Sequence, residues 1–181
     1  MEPSFIDSES NVSNQGLQKP SENEVCPLCS RWDNRPVGVD MVIFKDHQIL
    51  LIKREKDPDK GKYAVPGGYV DRGESVGQAG VREAREETGL DVEIVALIGI
   101  RSNPDRFRQI IEISYLAKVV GGQEAPGDGV ESILWVDPNN LPEEMATIGE
   151  HDQIVQSALP LLQKLLVGPK PCLDQAHNID I

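Results

Sequence analysis

Apolar residues fall into short runs separated by polar or Gly/Pro-rich segments, and their spacing changes from two to helical and back along the chain. Residues 37–44 are apolar and rich in β-branched side chains, Asp46-His47 has turn character, and residues 48–53 return as a second strand. A charged loop with Pro58 and Gly61 leads to a short strand over 63–65, which Pro66-Gly67-Gly68 stops. Glu74-Ser75 opens a helix running to about Thr88, with Gly89 as the residue that ends it. Strands are then expected over 92–100, 109–120 and 132–136. Polar loops over 101–108 and 121–129 separate them, and a turn over 137–142 follows. The pattern predicts a final helix over 150–159 that resumes beyond Pro160 to Leu166. Hairpin-like strand pairs around one central helix, with another helix at the end, indicate a mixed α/β sandwich and not a regular βαβ winding.

The 181 residues suit one domain with tails. Residues 1–24 are rich in Ser, Asn, Gln and Glu and read as a disordered leader. Residues 25–35 form a small Cys-containing knuckle, 36–167 the domain, and 168–181 a loose tail. Net charge is -12 and aromatics make up 4%, which argues against DNA, anionic membranes and stacked single-stranded nucleic acid as partners. No basic-then-apolar leader opens the chain and no apolar run is long enough to span a bilayer, so a cytoplasmic location is expected. Three cysteines give no disulfide framework.

At 100° per residue, Glu83, Glu86 and Glu87 fall within about 100° of one another on the central helix. Val76, Gly80, Ala84 and Thr88 lie on a neighbouring face suited to packing, and Ala79 is one turn before the glutamates, where a small side chain would leave room for a ligand. Three carboxylates so close repel one another. A hard cation such as Mg²⁺ or Mn²⁺ relieves that repulsion and keeps waters for chemistry. Arg82, four residues before Glu86, is spaced to pair with it. On helix pattern alone, a solvated surface with ordinary ion pairs is an equal reading.

The flanking residues decide between the two. Gly68, five residues, Glu74, seven residues, Arg82-Glu83-Ala84, one residue, Glu86-Glu87, one residue, Gly89-Leu90 fills every fixed position of a long pattern. The run resembles the Nudix box, G-x5-E-x7-R-E-U-x-E-E-x-G-U with U aliphatic. Tyr63 to Gly68 and Leu50 to Arg54 are similar to the strands that precede it in that family, and the likeness spans roughly residues 36–166. The resemblance implies a Nudix α/β/α sandwich with a mixed sheet and a loop–helix–loop catalytic element. By position it implies Glu86 and Glu87 as principal metal ligands and Glu83 as a further ligand or the base. It also implies the carbonyl of Gly67 as a backbone ligand, Arg82 as an orienting residue and Glu74 as structural. An additional base from a later loop is common in the family, and Asp128 and Glu131 are the candidates, with Glu124 third.

Hydrolysis of a phosphoanhydride bond in a nucleoside diphosphate derivative is therefore expected, with two or more Mg²⁺ ions polarising the diphosphate and activating water. Arg54, Arg101 and Arg106 are the candidate substrate contacts, alongside Lys53 and Lys62. The run Arg101 to Arg106 partly resembles the loop after the box in ADP-ribose pyrophosphatase-like members, which puts ADP-ribose or a related nucleotide sugar first. An ordinary or oxidised nucleoside triphosphate is the alternative, ahead of capped RNA. A non-catalytic nucleotide-sensing module is a third reading, and the complete glutamate set argues against it. Cys26 and Cys29 supply half of a tetrahedral zinc site that Cys172 and His177 could complete, against a reading of free thiols. A homodimer is compatible with the sequence.

Overall fold

The computed structural model describes residues 35–103, 110–147 and 149–167. Its elements are β1 (Val37–Lys45), β2 (Gln48–Arg54), β3 (Tyr63–Ala64), β4 (Gly67–Tyr69), α1 (Val76–Thr88), β5 (Leu90–Ser102), β6 (Ile111–Gly122), β7 (Val130–Val136) and α2 (His151–Val167). The seven strands make one mixed sheet in the order β3-β2-β1-β6-β5, with β4 also paired to β1 and β7 to β2. β1 and β6 run parallel over Val37 to Phe44; the other pairs are antiparallel. The expected mixed sandwich is present.

Side-chain alternation explains the layering. Val39, Met41 and Ile43 of β1 and Leu50 and Ile52 of β2 join Ala79 and Ala84 of α1 in one apolar cluster. Val42, Ile49 and Leu51, the intervening residues, join Ile154, Val155, Ala158 and Leu162 of α2 in a second. The two central strands are thus covered by a helix on each face, which is why they read as nearly continuous apolar runs.

α1 begins where its cap chemistry directs. The Ser75 side chain accepts from the Gln78 N–H and the Gln78 side chain accepts from the Ser75 N–H, a reciprocal capping box. At the other end Gly89 takes φ 72° and donates to the Arg85 carbonyl. Gly80 lets the helix sit on the sheet, because an added Cβ would lie 2.5 Å from the Met41 sulfur.

Several boundaries differ from expectation: β4 occupies Gly67–Tyr69, where a stop was expected, β5 and β7 each begin two residues early, and three further differences have evident causes. β5 continues through Arg101 and Ser102, because Arg101 pairs across the ladder with Glu112 and ion-pairs with it. β6 extends through Gly121 and Gly122; Gly122 has φ 88° and lies against the Gly89 carbonyl, a place closed to other residues. α2 runs unbroken through Pro160, which sits on the exposed face, where the unbonded carbonyl of the preceding turn can take water.

Candidate active site

α1, β4 and the turn between them assemble around Arg82. Its guanidinium donates from Nε and Nη2 to Glu74 at 3.1 and 2.8 Å, and from Nη1 to Glu83 at 2.8 Å and Glu86 at 3.0 Å. Nη2 also donates to the Tyr69 carbonyl at 3.0 Å, tying the helix to β4. Sequence spacing pointed to Glu86 alone. The fork geometry of arginine is what lets one side chain serve three carboxylates. Glu74 accepts from the Asp71 N–H as well, and these bonds, Arg82's first, hold its carboxyl below the usual range. The same network keeps Arg82 firmly protonated.

Glu87 points toward the glycine turn, where it accepts the Gly67 N–H at 2.9 Å. Burial pushes its carboxyl up to about 8, against the opposing pull of that hydrogen bond, with Glu83 adding repulsion. Burial also raises Glu83, whose bond to Arg82 opposes the shift. Gly68 packs so closely on the Glu83 carboxylate that an added Cβ would stand 2.2 Å from it. The turn is therefore a cradle fitted to these acids, and any larger residue would displace Glu83.

A cavity of about 470 Å³ opens beside the turn, lined in part by Gly67, Gly68, Glu87, Arg54, Lys56 and Asp128. It brings together five of the residues singled out from sequence: Arg54, Gly67, Gly68, Glu87 and Asp128. Arg82, Glu83 and Glu86 adjoin it through Gly68 and Glu87 without lining it. Arg54 donates to the Pro58 carbonyl at 3.0 Å. Asp128 is bound to Lys56 at 2.8 Å, a bond that lowers its carboxyl. Glu131 pairs with Lys53 on the β2–β7 ladder, away from the cavity lining, and Glu124 accepts from the Trp135 indole. Ala79 is fully buried in the α1-side core, so it does not hold open a ligand space. Arg106, Cys26, Cys29, Cys172 and His177 lie outside the described residues.

Among the described residues, no three Asp, Glu, His or Cys side chains are gathered into a ready-made metal cage. Glu83 and Glu86 share Nη1 of Arg82, and Glu87 is bound to the Gly67 N–H. The donor set still suits Mg²⁺ or Mn²⁺. Carboxylate oxygens are the ligands such ions prefer, and each carboxylate has lone pairs beyond those Arg82 and Gly67 use. Burial first, and neighbouring carboxylates after it, disfavour the ionised forms of Glu83 and Glu87, which a bound cation would favour.

Residues that sequence patterning did not single out complete the cavity. Asp40, Glu112 and His151 line it. Asp40 accepts from Ser114 at 3.3 Å and from Arg101 at 3.4 Å, and Glu112 accepts from Arg101 at 3.3 Å. Burial first, then Glu112, raise the Asp40 carboxyl to about 7. One signal was available: Asp40 is the only charged residue in the apolar stretch 37–44, and a charge in such a strand has to be paid for by partners.

The NUDIX domain model matches residues 34–157. An ADP-ribose pyrophosphatase of Methanocaldococcus jannaschii is 43% identical over 122 residues, covering 66% of this chain and 70% of that protein. A putative 8-oxo-dGTP diphosphatase of Bacillus subtilis is 39% identical over 104 residues, covering 56% of this chain and 66% of that protein. The crystal structure of a MutT NUDIX hydrolase from Burkholderia pseudomallei superposes with a TM-score of 0.62 at 29% identity, covering 69% of this chain and 98% of that one. With the glycine turn, the glutamate helix and the sandwich in agreement, the chain belongs to the Nudix hydrolase family.

Proposed function

We propose that this hydrolase is Mg²⁺-dependent, with Mn²⁺ as a substitute, and cleaves the phosphoanhydride bond of a nucleoside diphosphate derivative, ADP-ribose or a related nucleotide sugar. The observation that carries the reading is the complete carboxylate set of α1 set against the Gly67-Gly68 turn at the wall of a cavity that also holds Arg54 and Lys56. The 43% identical relative named as an ADP-ribose pyrophosphatase supports the substrate. Glu86 and Glu87, with the Gly67 carbonyl, would hold the cation, and Glu83 would act as a further ligand or as the base. A bound cation neutralises phosphate charge and lowers the pKa of a water. Arg82 fixes the orientation of Glu83 and Glu86. Arg54 and Lys56 supply positive charge for the diphosphate, and Asp128, bound to Lys56 at the cavity wall, is the later-loop acid placed nearest it.

Action on a nucleoside triphosphate, ordinary or oxidised, is the second reading, favoured by the 39% identical putative 8-oxo-dGTP diphosphatase. A panel of ADP-ribose, nucleotide sugars, ATP, dGTP and 8-oxo-dGTP with Mg²⁺, read by product identification, separates the two. The expected result is AMP and ribose 5-phosphate from ADP-ribose, with Glu86→Gln and Glu87→Gln losing about 100-fold or more in kcat. Turnover confined to triphosphates sinks the nucleotide-sugar reading. Undiminished turnover in both variants sinks the assignment of the glutamates.

A further inference from the structure

The cavity has a corner that the phosphate chemistry leaves unused. Asp40 and Glu112 line it on the adjacent strands β1 and β6, and sheet register fixes both. Asp40 lies opposite Gly67 in the β1–β4 ladder and opposite Ser114 in the β1–β6 ladder, and Glu112 lies opposite Gly38 and Arg101. Arg101 and Ser114 both donate to Oδ2 of Asp40. The other oxygen, Oδ1, is turned to the glycine turn, 3.1 Å from where a Cβ on Gly67 would stand. Arg101 also binds Glu112, so its charge is directed at these two acids from one side of the ladder.

We propose that Asp40 and Glu112 are specificity-determining residues that accept hydrogen bonds from the vicinal hydroxyls of a sugar esterified to the diphosphate. The inference rests on the reading of the protein as a hydrolase of nucleoside diphosphate derivatives. A diphosphate seated at Gly67 and Gly68 brings its directly bonded sugar beside Asp40, whose Oδ1 borders the same glycine. A carboxyl group keeps acceptor lone pairs in either protonation state, and a pair of them on neighbouring strands matches two adjacent hydroxyl donors. A cation is the poorer occupant, because the Arg101 guanidinium already donates to both acids. Arg101 then serves as a positioning residue for the pair, through its bonds to both acids.

The test is equilibrium binding to the full chain in Mg²⁺. The probes are the α,β-methylene analogue of ADP-ribose, α,β-methylene ADP, and the 2′,3′-dideoxy form of the latter. The first comparison reads the distal sugar and the second the nucleoside sugar. The wild type is expected to show a preference of about tenfold or more in one of the two comparisons, the size of a hydrogen bond to a charged group. Asp40→Asn and Glu112→Gln should each remove most of that preference while leaving the affinity for the ligand lacking those hydroxyls within about twofold. Two acids are tested so that a folding defect in one does not decide the matter, and melting curves identify such a defect. No preference in either comparison, no binding of any probe, or equal losses on all three in folded variants overturns the proposal. Hydrolysis of ADP-ribose itself is scored separately. Binding as expected without turnover would reject ADP-ribose as the substrate and leave the sugar corner standing.

Discussion

Glu87 meets two opposed demands. Burial disfavours its charge, the Gly67 N–H favours it, and burial wins, raising the carboxyl to about 8. Asp40 follows the same course to about 7. A carboxyl with a raised pKa binds more protons folded than unfolded, so its contribution to stability is full below the ordinary carboxylate range and is lost as pH rises through the folded value. Metal-free protein should therefore lose melting temperature between roughly pH 5 and 8. Glu87→Gln should flatten that slope, and so should Mg²⁺, which favours the ionised form. Glu74 and Asp128 are shifted the other way, so their contributions are lost only under more acidic conditions. A melting temperature that holds or rises across the interval, measured without metal, would contradict the burial of Glu87. The glutamates were legible in sequence because helix periodicity and the fixed spacing act on neighbouring residues. Asp40 was not, because its environment comes from Ser114, Arg101 and Glu112, which only the sheet brings near.

Among the elements, the loop joining β6 to β7 holds α1 at its carboxyl end. Gln123, Ala125 and Gly127 donate their N–H groups to the carbonyls of Gly89, Thr88 and Glu87 at 3.1, 2.9 and 2.9 Å. These are among the carbonyls that a helix end leaves without partners inside the helix. The loop thereby sets Asp128 in fixed relation to Glu86 and Glu87. A Cβ on Gly127 would stand 1.7 Å from the Glu86 carbonyl oxygen, a backbone atom that cannot rotate away. Gly127→Ala should cost about 1–3 kcal/mol of stability and should lower kcat by displacing the glutamates. Gly77→Ala is the control, since its nearest neighbour is the end of the Ile94 side chain at 3.4 Å and alanine is the better helix former. Denaturant unfolding and steady-state rates on both variants check this; equal stability of the two would show that the loop is not clamped. Sequence reading placed this loop by its glycines and proline but could not see the clamp, because the three donors are backbone groups that carry no residue signature. It ended β5 early for a related reason: Arg101 looks like a loop residue until Glu112 stands opposite it.

For the molecule as a whole, the net charge of -12 works against an anionic substrate. Local cations, Arg54 and Lys56 among them, have to reverse that field at the cavity. Salt screens long-range repulsion while leaving close contacts less affected. At fixed free Mg²⁺, raising NaCl from roughly 0.02 to 0.15 M should therefore lower KM with little change in kcat. A KM that rises steeply instead would mean that attraction near the cavity dominates. The layers of the fold were readable because β1 and β2 alternate between two helices. The order of strands was not, because it depends on the parallel joining of β1 to β6, and no turn or spacing in the sequence announces that pair.

That parallel pair also governs when the protein can acquire its structure. β1 and β6 are separated by β2, β3, β4, α1 and β5, so their ladder closes a long stretch of chain, and such non-local pairings slow folding. A nascent chain halted after α1 already holds every glutamate of the helix. It still lacks the strand that carries Glu112 and Ser114, and with it one wall of the cavity. Competence therefore comes late in synthesis, when β6 arrives to lie beside β1, and fragments ending at the helix should carry its glutamates without the activity.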